Sequence, residues 1–404
     1  MTARPLLRRR FQEDWSEPLG EYAPRLFGQA PKTLAEDFLA LVEQEATATG
    51  YEAGLARTLT AQLGQLPVVQ TSHHITPTHG PTFTSIDLIS LSGLGPGRIY
   101  PIFAFSGVPF SNSAWSGALS YGALELTDLF LPQSKGLSKA KAAAKERQAH
   151  GEADHRISLI PAKSRDQLVY GSLVPENLPE ILAELQPKVQ ALLAEPRPQE
   201  LYSHWAARTS AKLQSRLFGQ QVVVLDLNRL VGLFLRGRLR AHDPLFLALF
   251  GGTGPSLELN FLVGKEGKKS NKVELKPWVG GLDPMGISGL IEALETQALS
   301  PGVWLCFFVL RFYLGLHCLG SFNQLEYLED YRLGLQGSPL APALDLSPGP
   351  PSLTTGRLVW QGAHLWPLDR VCAGQSLDCR EFAGLPMSRF WSPIARQLGL
   401  EGLE

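Results

Sequence analysis

Leu66-Pro-Val-Val-Gln-Thr-Ser-His-His-Ile-Thr-Pro-Thr-His-Gly-Pro-Thr-Phe83 is the stretch on which the fold turns. Its first part, Pro67 to Gln70, is a short β-branched run with strand propensity. The chain then enters Ser72-His73-His74, bends through Pro77-Thr-His-Gly-Pro81 and continues as Phe83, Ile86, Leu88, Ile89 and Leu91. That apolar series reads as a helix. Arg98-Ile-Tyr-Pro-Ile-Phe-Ala-Phe105 follows as a second strand. Strand, polar loop, helix, strand is the unit that sets a ligand at the carboxyl edge of a parallel sheet. Three of the nine histidines, His73, His74 and His79, fall within the loop.

Upstream, residues 1–65 read as a helical segment packing on the core. Thr33-Leu-Ala-Glu36 resembles a capping box ahead of Phe38, Leu39, Leu41 and Val42, and Tyr51 to Leu63 makes a second helix. Directly after the second strand comes a hydroxyl- and glycine-rich loop, Ser106 to Gly117, where Ser106, Ser111 and Asn112 are candidate substrate ligands. An ordinary turn cluster has the same composition. Gln221-Val-Val-Val-Leu-Asp-Leu227 is the clearest buried strand, and Leu230–Leu239 continues as a helix. Asp226 at that junction would touch a ribose or a metal, or else cap the helix. Leu257–Val263 and Val273–Leu275 flank a basic loop, so a hairpin is expected, with Lys265, Lys268 and Lys269 at a tip that would bind a nucleotide or merely connect.

Val303 to Gly320 is the most apolar stretch, but it carries Arg311 and His317. At about 18 residues it sits at the lower limit of a membrane span, so a buried helix is expected. Asn323, Gln324 and Glu326 follow as a candidate second wall of the pocket, or as a solvated helix end. Gly337 to Gly356 is rich in Pro, Gly and Ser and reads as a connector, and the tail beyond carries Trp360, Trp366 and Trp391. The expected organisation is therefore a helical segment 1–65, an α/β core domain 66–335 with the active-site loops, and a linker and Trp-rich tail 336–404. The fold class is α/β, a Rossmann-like parallel or mixed sheet flanked by helices, with helical additions.

Composition narrows the function classes. Lys and Arg number 37 against 38 Asp and Glu, which removes any bulk attraction to nucleic acid or an anionic membrane. The four cysteines form no Cys-x-x-Cys pair, which argues against a zinc ribbon or a thioredoxin motif. Their scarcity suits a reducing compartment. The basic N-terminus runs into Phe11-Gln-Glu-Asp-Trp15 without the apolar core of a secretory signal. The expected location is cytoplasmic, and the expected partner is a small-molecule substrate, with no nucleic acid and no membrane. A homodimer is compatible with this reading.

An imidazole serves as metal ligand, general base, or donor to a developing charge. Adjacent His73 and His74 on extended backbone point oppositely, so they do not share one ion. His74 and His79 are able to converge across the Pro-Thr turn, but no carboxylate in the loop completes a three-ligand site. His73, His74 and His79 are expected to bind phosphate or to transfer protons, with Ser72, Thr78 and Gly80 holding substrate at the start of the following helix. Two alternatives stand beside it. One is a metal-dependent lyase, hydrolase or oxygenase in which His317 or Glu326 joins His74 and His79. The other is a non-catalytic ligand-binding protein whose histidines are buried and satisfied.

The run Val68 to Thr84 resembles the N-terminal motif of the bacillithiol-forming cysteine ligase family. In that family a strand leads to Gly-Gln-Gln-x-Gly and then to a Gly-Pro-x-Tyr that opens a helix. Ser72, His73 and His74 fall at Gly-Gln-Gln, and Gly80-Pro81-Thr82-Phe83 falls at Gly-Pro-x-Tyr. Pro101-Ile-Phe-Ala104 is similar to the family's Pro-Val-Phe-Trp strand, whereas Val108-Pro-Phe-Ser111 replaces its Glu-Asp-His-Asp. The resemblance implies a core like that of class I aminoacyl-tRNA synthetases and nucleotidylyltransferases, whose histidine-bearing loop holds nucleotide phosphates. It implies a biosynthetic ligase or transferase that activates or condenses a metabolite, with ATP or another nucleotide as cofactor. A divalent metal belongs to the alternative built on the histidines.

Overall fold

The computed structural model describes residues 4–28, 33–76, 80–106, 120–121, 124–125, 187–189, 191–195, 197, 200–250, 259–263, 274–278, 286–296 and 299–400. Thr78, His79, Ser111, Asn112, Lys265, Lys268 and Lys269 lie outside the described residues.

Four short strands pair in parallel: β1 (Val68–Gln70), β2 (Tyr100–Ala104), β3 (Val222–Asp226) and β4 (His317–Leu319), in the order β3-β2-β1-β4. They carry almost no alternating polar face, because helices cover both sides of the sheet. Among the described residues, the helices around the first three strands include α1 (Pro5–Asp14), α2 (Leu19–Arg25), α3 (Glu36–Thr49), α4 (Ala53–Gln65), α5 (Pro81–Leu94), α6 (Tyr202–Phe218) and, after β3, α7 (Leu227–Arg240). Alternate strand residues feed two cores. Val68, Ile102 and Val224 join α1, α2, α5 and α6, whereas Val69, Phe103 and Val223 join α3, α4 and α7. The outer edge of β3 is closed by Tyr51, whose hydroxyl accepts from Val224 N at 3.0 Å and donates to Val224 O at 3.1 Å. Apart from this sheet, Leu259–Val263 pairs antiparallel with Glu274–Trp278, as the hairpin reading expected, and with Leu299–Pro301.

Three local expectations change. The apolar stretch from Val303 is not one helix: Val303–Phe307 is α-helical, Phe308–Tyr313 is a π-helix, Gly315 takes φ +71 and His317–Leu319 is β4. Pairing with β1 decides this, setting His317, Cys318 and Leu319 opposite Val68, Val69 and Gln70. A continuous apolar run by itself suits a buried helix and a buried strand equally. The capping box at Thr33 is also not formed. The cap of α3 is Ala35, without a side-chain bond, and the Asp37 carboxylate accepts from Phe38 N instead. Finally, 337–356 runs against the sheet rather than away from it. Gly320 N donates to Ser352 O at 2.8 Å, Thr354 N donates to Gly320 O at 2.9 Å, and Leu353 and Leu358 are buried. Further along, Trp391 is fully buried, stacked on Phe11 and edge-on to Tyr22, so the tail shares the core of β1. Among the described residues no helix is long and apolar enough to cross a membrane.

Gly50 ends α3 with φ +99, where an L side chain is strained, and a methyl group there would meet the Arg197 guanidinium that donates to Gly50 O. Gly50→Ala is expected to cost about 1–2 kcal/mol, the usual left-handed penalty. A urea denaturation midpoint unchanged from wild type would show that the turn adapts.

Candidate functional site

The chain steps from β1 to β2 to β3 on one side, then returns to place β4 on the other side of β1. Where strand order reverses in this way, the connections leaving neighbouring strands diverge and open a crevice at their carboxyl ends. The segments at that edge are Thr71–Thr76 after β1, Phe105-Ser106 after β2, Leu227–Arg229 after β3 and Gly320-Ser321 after β4.

The histidine segment remains partly strand-like. Phe105 N donates to His73 O at 2.9 Å and Ile75 N donates to Phe105 O at 3.0 Å, which leaves His74 beside Phe105. The two imidazoles accordingly go different ways. His73 is 0% exposed, edge-on to Phe83, with Nε2 2.9 Å from Asp87 Oδ1. The same oxygen accepts from the Tyr100 hydroxyl at 3.1 Å. Burial lowers His73 to about 3 and raises Tyr100 well above the usual phenol range. Both groups are thus neutral at physiological pH. His74 is half-buried, and burial together with His73 lowers it to about 4. It is a neutral donor and acceptor there, not a cation. His73, read from sequence as catalytic, is sealed from any ligand in this arrangement and holds the segment in place.

Neighbouring polar groups are equally engaged. Gln70 Nε2 donates to Ser90 Oγ and Thr354 Oγ1, while Gln70 Oε1 accepts from Thr71 N, Ser72 N and Ser72 Oγ. Ser72 is therefore tied to its own strand. Gly80 is the cap of α5, with Pro81, which has no N–H, in the first turn, and Phe83 N and Thr84 N donate to Gly80 O at 3.0 and 3.3 Å.

A second group stands at the ends of β2 and β3. Ser106 Oγ donates to Asp226 Oδ1 at 2.7 Å and Ser106 N donates to Asn228 Oδ1 at 2.9 Å. Asp226 also caps α7 through Arg229 N, and Asn228 Nδ2 donates to Pro301 O. A third group adjoins it: Arg229 Nε donates to Glu45 Oε2 at 2.7 Å, and His204 Nε2 lies 2.8 Å from Glu45 Oε1.

The expected second wall is distributed differently. Asn323 accepts from Arg4 and Glu326 accepts from Leu7 N, so both hold α1. Gln324 is buried, donating to Thr71 Oγ1 and Cys318 O, and its amide covers Gly320, where a side chain would collide with it. His317 pairs with Val68 at the amino end of the sheet. Six residues of extended chain, roughly 20 Å, separate that position from His74. A shared metal site for the two is thereby excluded. Among the described residues, no group of three or more His, Cys, Asp or Glu side chains is placed to hold a metal.

Asp87, Glu45, His204 and Arg229 were not anticipated. Glu45 left one trace: it lies on the buried stripe Phe38, Val42, Glu45, Ala46 and Thr49 of α3. A carboxylate on such a stripe requires a partner. No family model, curated protein or solved structure matches the chain.

Proposed function

We propose that the protein is a small-molecule enzyme of ligase or transferase type with a Rossmann-like core, which activates or condenses a metabolite at the carboxyl edge of its parallel sheet. The observation that carries this reading is the strand order β3-β2-β1-β4, which reverses between β1 and β4. In it β1 leads to His74 at the carboxyl edge, level with Phe105 and so one residue from Ser106 of the group at the ends of β2 and β3. That order matches the first four strands of dinucleotide-binding sheets, where the ligand lies at the reversal. In this reading the neutral ring of His74 hydrogen-bonds the attacking group and takes up its proton transiently. Ser106, Asp226 and Asn228, all buried and bonded to one another or to Pro301 O, fix the backbone at the ends of β2 and β3 instead of touching substrate. His73 and Asp87 act behind them by fixing the backbone that carries His74. A nucleotide is the expected co-substrate.

Thermal melting with ATP, GTP or CTP and magnesium tests this. A nucleotide at 100 times its dissociation constant adds about 2.7 kcal/mol, and the melting temperature should rise by several degrees. His74→Ala should weaken that response at least tenfold while leaving the unliganded melt close to wild type. Wild-type melts indifferent to all three nucleotides, and indistinguishable from those of His74→Ala, would count decisively against it. The burial of His73 on Asp87 also suits a non-catalytic ligand-binding protein. Ligand binding without turnover in wild type would favour that second reading.

A further inference from the structure

Arg229 lies outside the histidine segment, in the first turn of α7 at the carboxyl end of β3. Its backbone N–H is fixed on Asp226 Oδ1 at 3.0 Å, and its side-chain Nε is fixed on Glu45 Oε2 at 2.7 Å. Glu45 is 1% exposed, and its other oxygen is occupied by His204. A carboxylate buried this deeply gains little net stability from its ion pairs, because desolvation offsets their attraction. What the arrangement does supply is orientation. With Nε locked, the guanidinium plane is set, and the Nη1 and Nη2 groups have no partner among the described residues. The Arg229 side chain keeps 21% of its surface open, and its backbone N–H shares the Asp226 Oδ1 acceptor with Ser106 Oγ at the carboxyl end of β3. Arg311 and Arg332, which are also largely buried, are different: in each, both terminal nitrogens are already bonded within the protein.

A guanidinium held by Nε, with its terminal nitrogens unbonded among the described residues, is the geometry that takes two oxygens of a carboxylate or a phosphate in two parallel hydrogen bonds. We propose that Arg229 is the anchor for the anionic group of the ligand, a carboxylate or a phosphate, with Glu45 as the positioning residue that aims it. This rests on the reading that the ligand occupies the carboxyl edge, and it adds that the ligand carries an oxyanion on the β3 side of that edge.

Calorimetric titration of the full chain with pyrophosphate, and separately with malonate, tests the assignment and distinguishes phosphate from carboxylate. Wild type should bind one of them with a dissociation constant of about 1 mM or tighter. Arg229→Lys keeps the charge but loses the fork, and should weaken binding at least tenfold. Glu45→Gln leaves the arginine in place but loosens its aim, and should weaken binding severalfold. Wild type failing to bind either probe at about 20 mM, or Arg229→Lys binding as wild type does, would overturn the proposal. Should Arg229→Lys lose its circular dichroism signature, Glu45→Gln/Arg229→Gln, which removes both charges together, takes its place with the same expected loss. His74→Ala separates the two levels of the reading. If it abolishes nucleotide binding while Arg229→Lys leaves it and the probes unaffected, the rim stands and the anchor falls. If only Arg229→Lys has an effect, the anchor stands without the rim.

Discussion

Lowering the pH from about 6.5 to about 4.5 is expected to remove roughly 4–5 kcal/mol of folding stability through His73 and His317 alone. Burial lowers both rings from the ordinary value of 6.5 to about 3, and neither is more than 4% exposed. Between those values the unfolded chain binds a proton at each ring that the folded chain does not. Stability therefore falls with falling pH, approaching about 1.4 kcal/mol per pH unit per ring. The loss begins near pH 6.5 and stops only near pH 3. A typical domain has about 5–15 kcal/mol in total, so acid unfolding should set in above the range where ordinary carboxylates titrate. Urea denaturation at several pH values measures this, and His317→Gln should flatten the dependence by about one ring's share. The opposite sign is equally informative for His73. Were the Asp87 carboxylate, 2.9 Å away, to hold that ring as a cation, its folded value would be raised, and its contribution would be greatest below pH 6.5 and lost as pH rises. Stability flat or increasing toward pH 5 would establish that ion pair and withdraw the neutral-ring account.

The same two histidines illustrate which parts of the fold are legible in sequence. The strand–loop–helix–strand unit from Pro67 to Phe105 was legible because its punctuation is local: a β-branched run, a Pro-Gly bend and an apolar helical face. Val222–Asp226 was legible for the same reason. The segment around His317 was not, because whether an apolar run becomes helix or strand depended on an open edge of β1 nearly 250 residues away in sequence. The burial of His73 follows from Asp87, which lies on α5 among Ile86, Leu88 and Ile89 and signals nothing until the helix is docked. Asn323 and Glu326 looked like pocket residues because polar groups at a helix start suit either a ligand or a packing helix. Their partners Arg4 and Leu7 are distant in sequence. The sequence thus points to the rim after β1 as a candidate site, whereas the Glu45, His204 and Arg229 group beside it arises from tertiary contacts between α3, α6 and α7.

Glu45→Ala is expected to destabilise the fold by about 3–5 kcal/mol, the cost of leaving buried partners of a removed charge uncompensated. Both carboxylate oxygens are in use, one by His204 and one by Arg229, and no water-filled surface replaces them in a residue 1% exposed. Deleting the side chain leaves a cationic guanidinium facing an apolar stripe and opens a cavity between α3 and α6. Glu45→Gln keeps the shape and the acceptor oxygen, so it should cost clearly less than alanine. The double replacement Glu45→Leu/Arg229→Leu removes both charges and fills the space. It should recover much of the loss, since well-packed apolar residues often equal or exceed a buried ion pair. Equilibrium unfolding of the four proteins completes the comparison. If the double variant regains stability yet loses the oxyanion probe, the fold does not need the pair and binding does. If the double variant is no more stable than Glu45→Ala, the pair is integral to the packing of α3 on α7. Its retention would then call for no functional explanation.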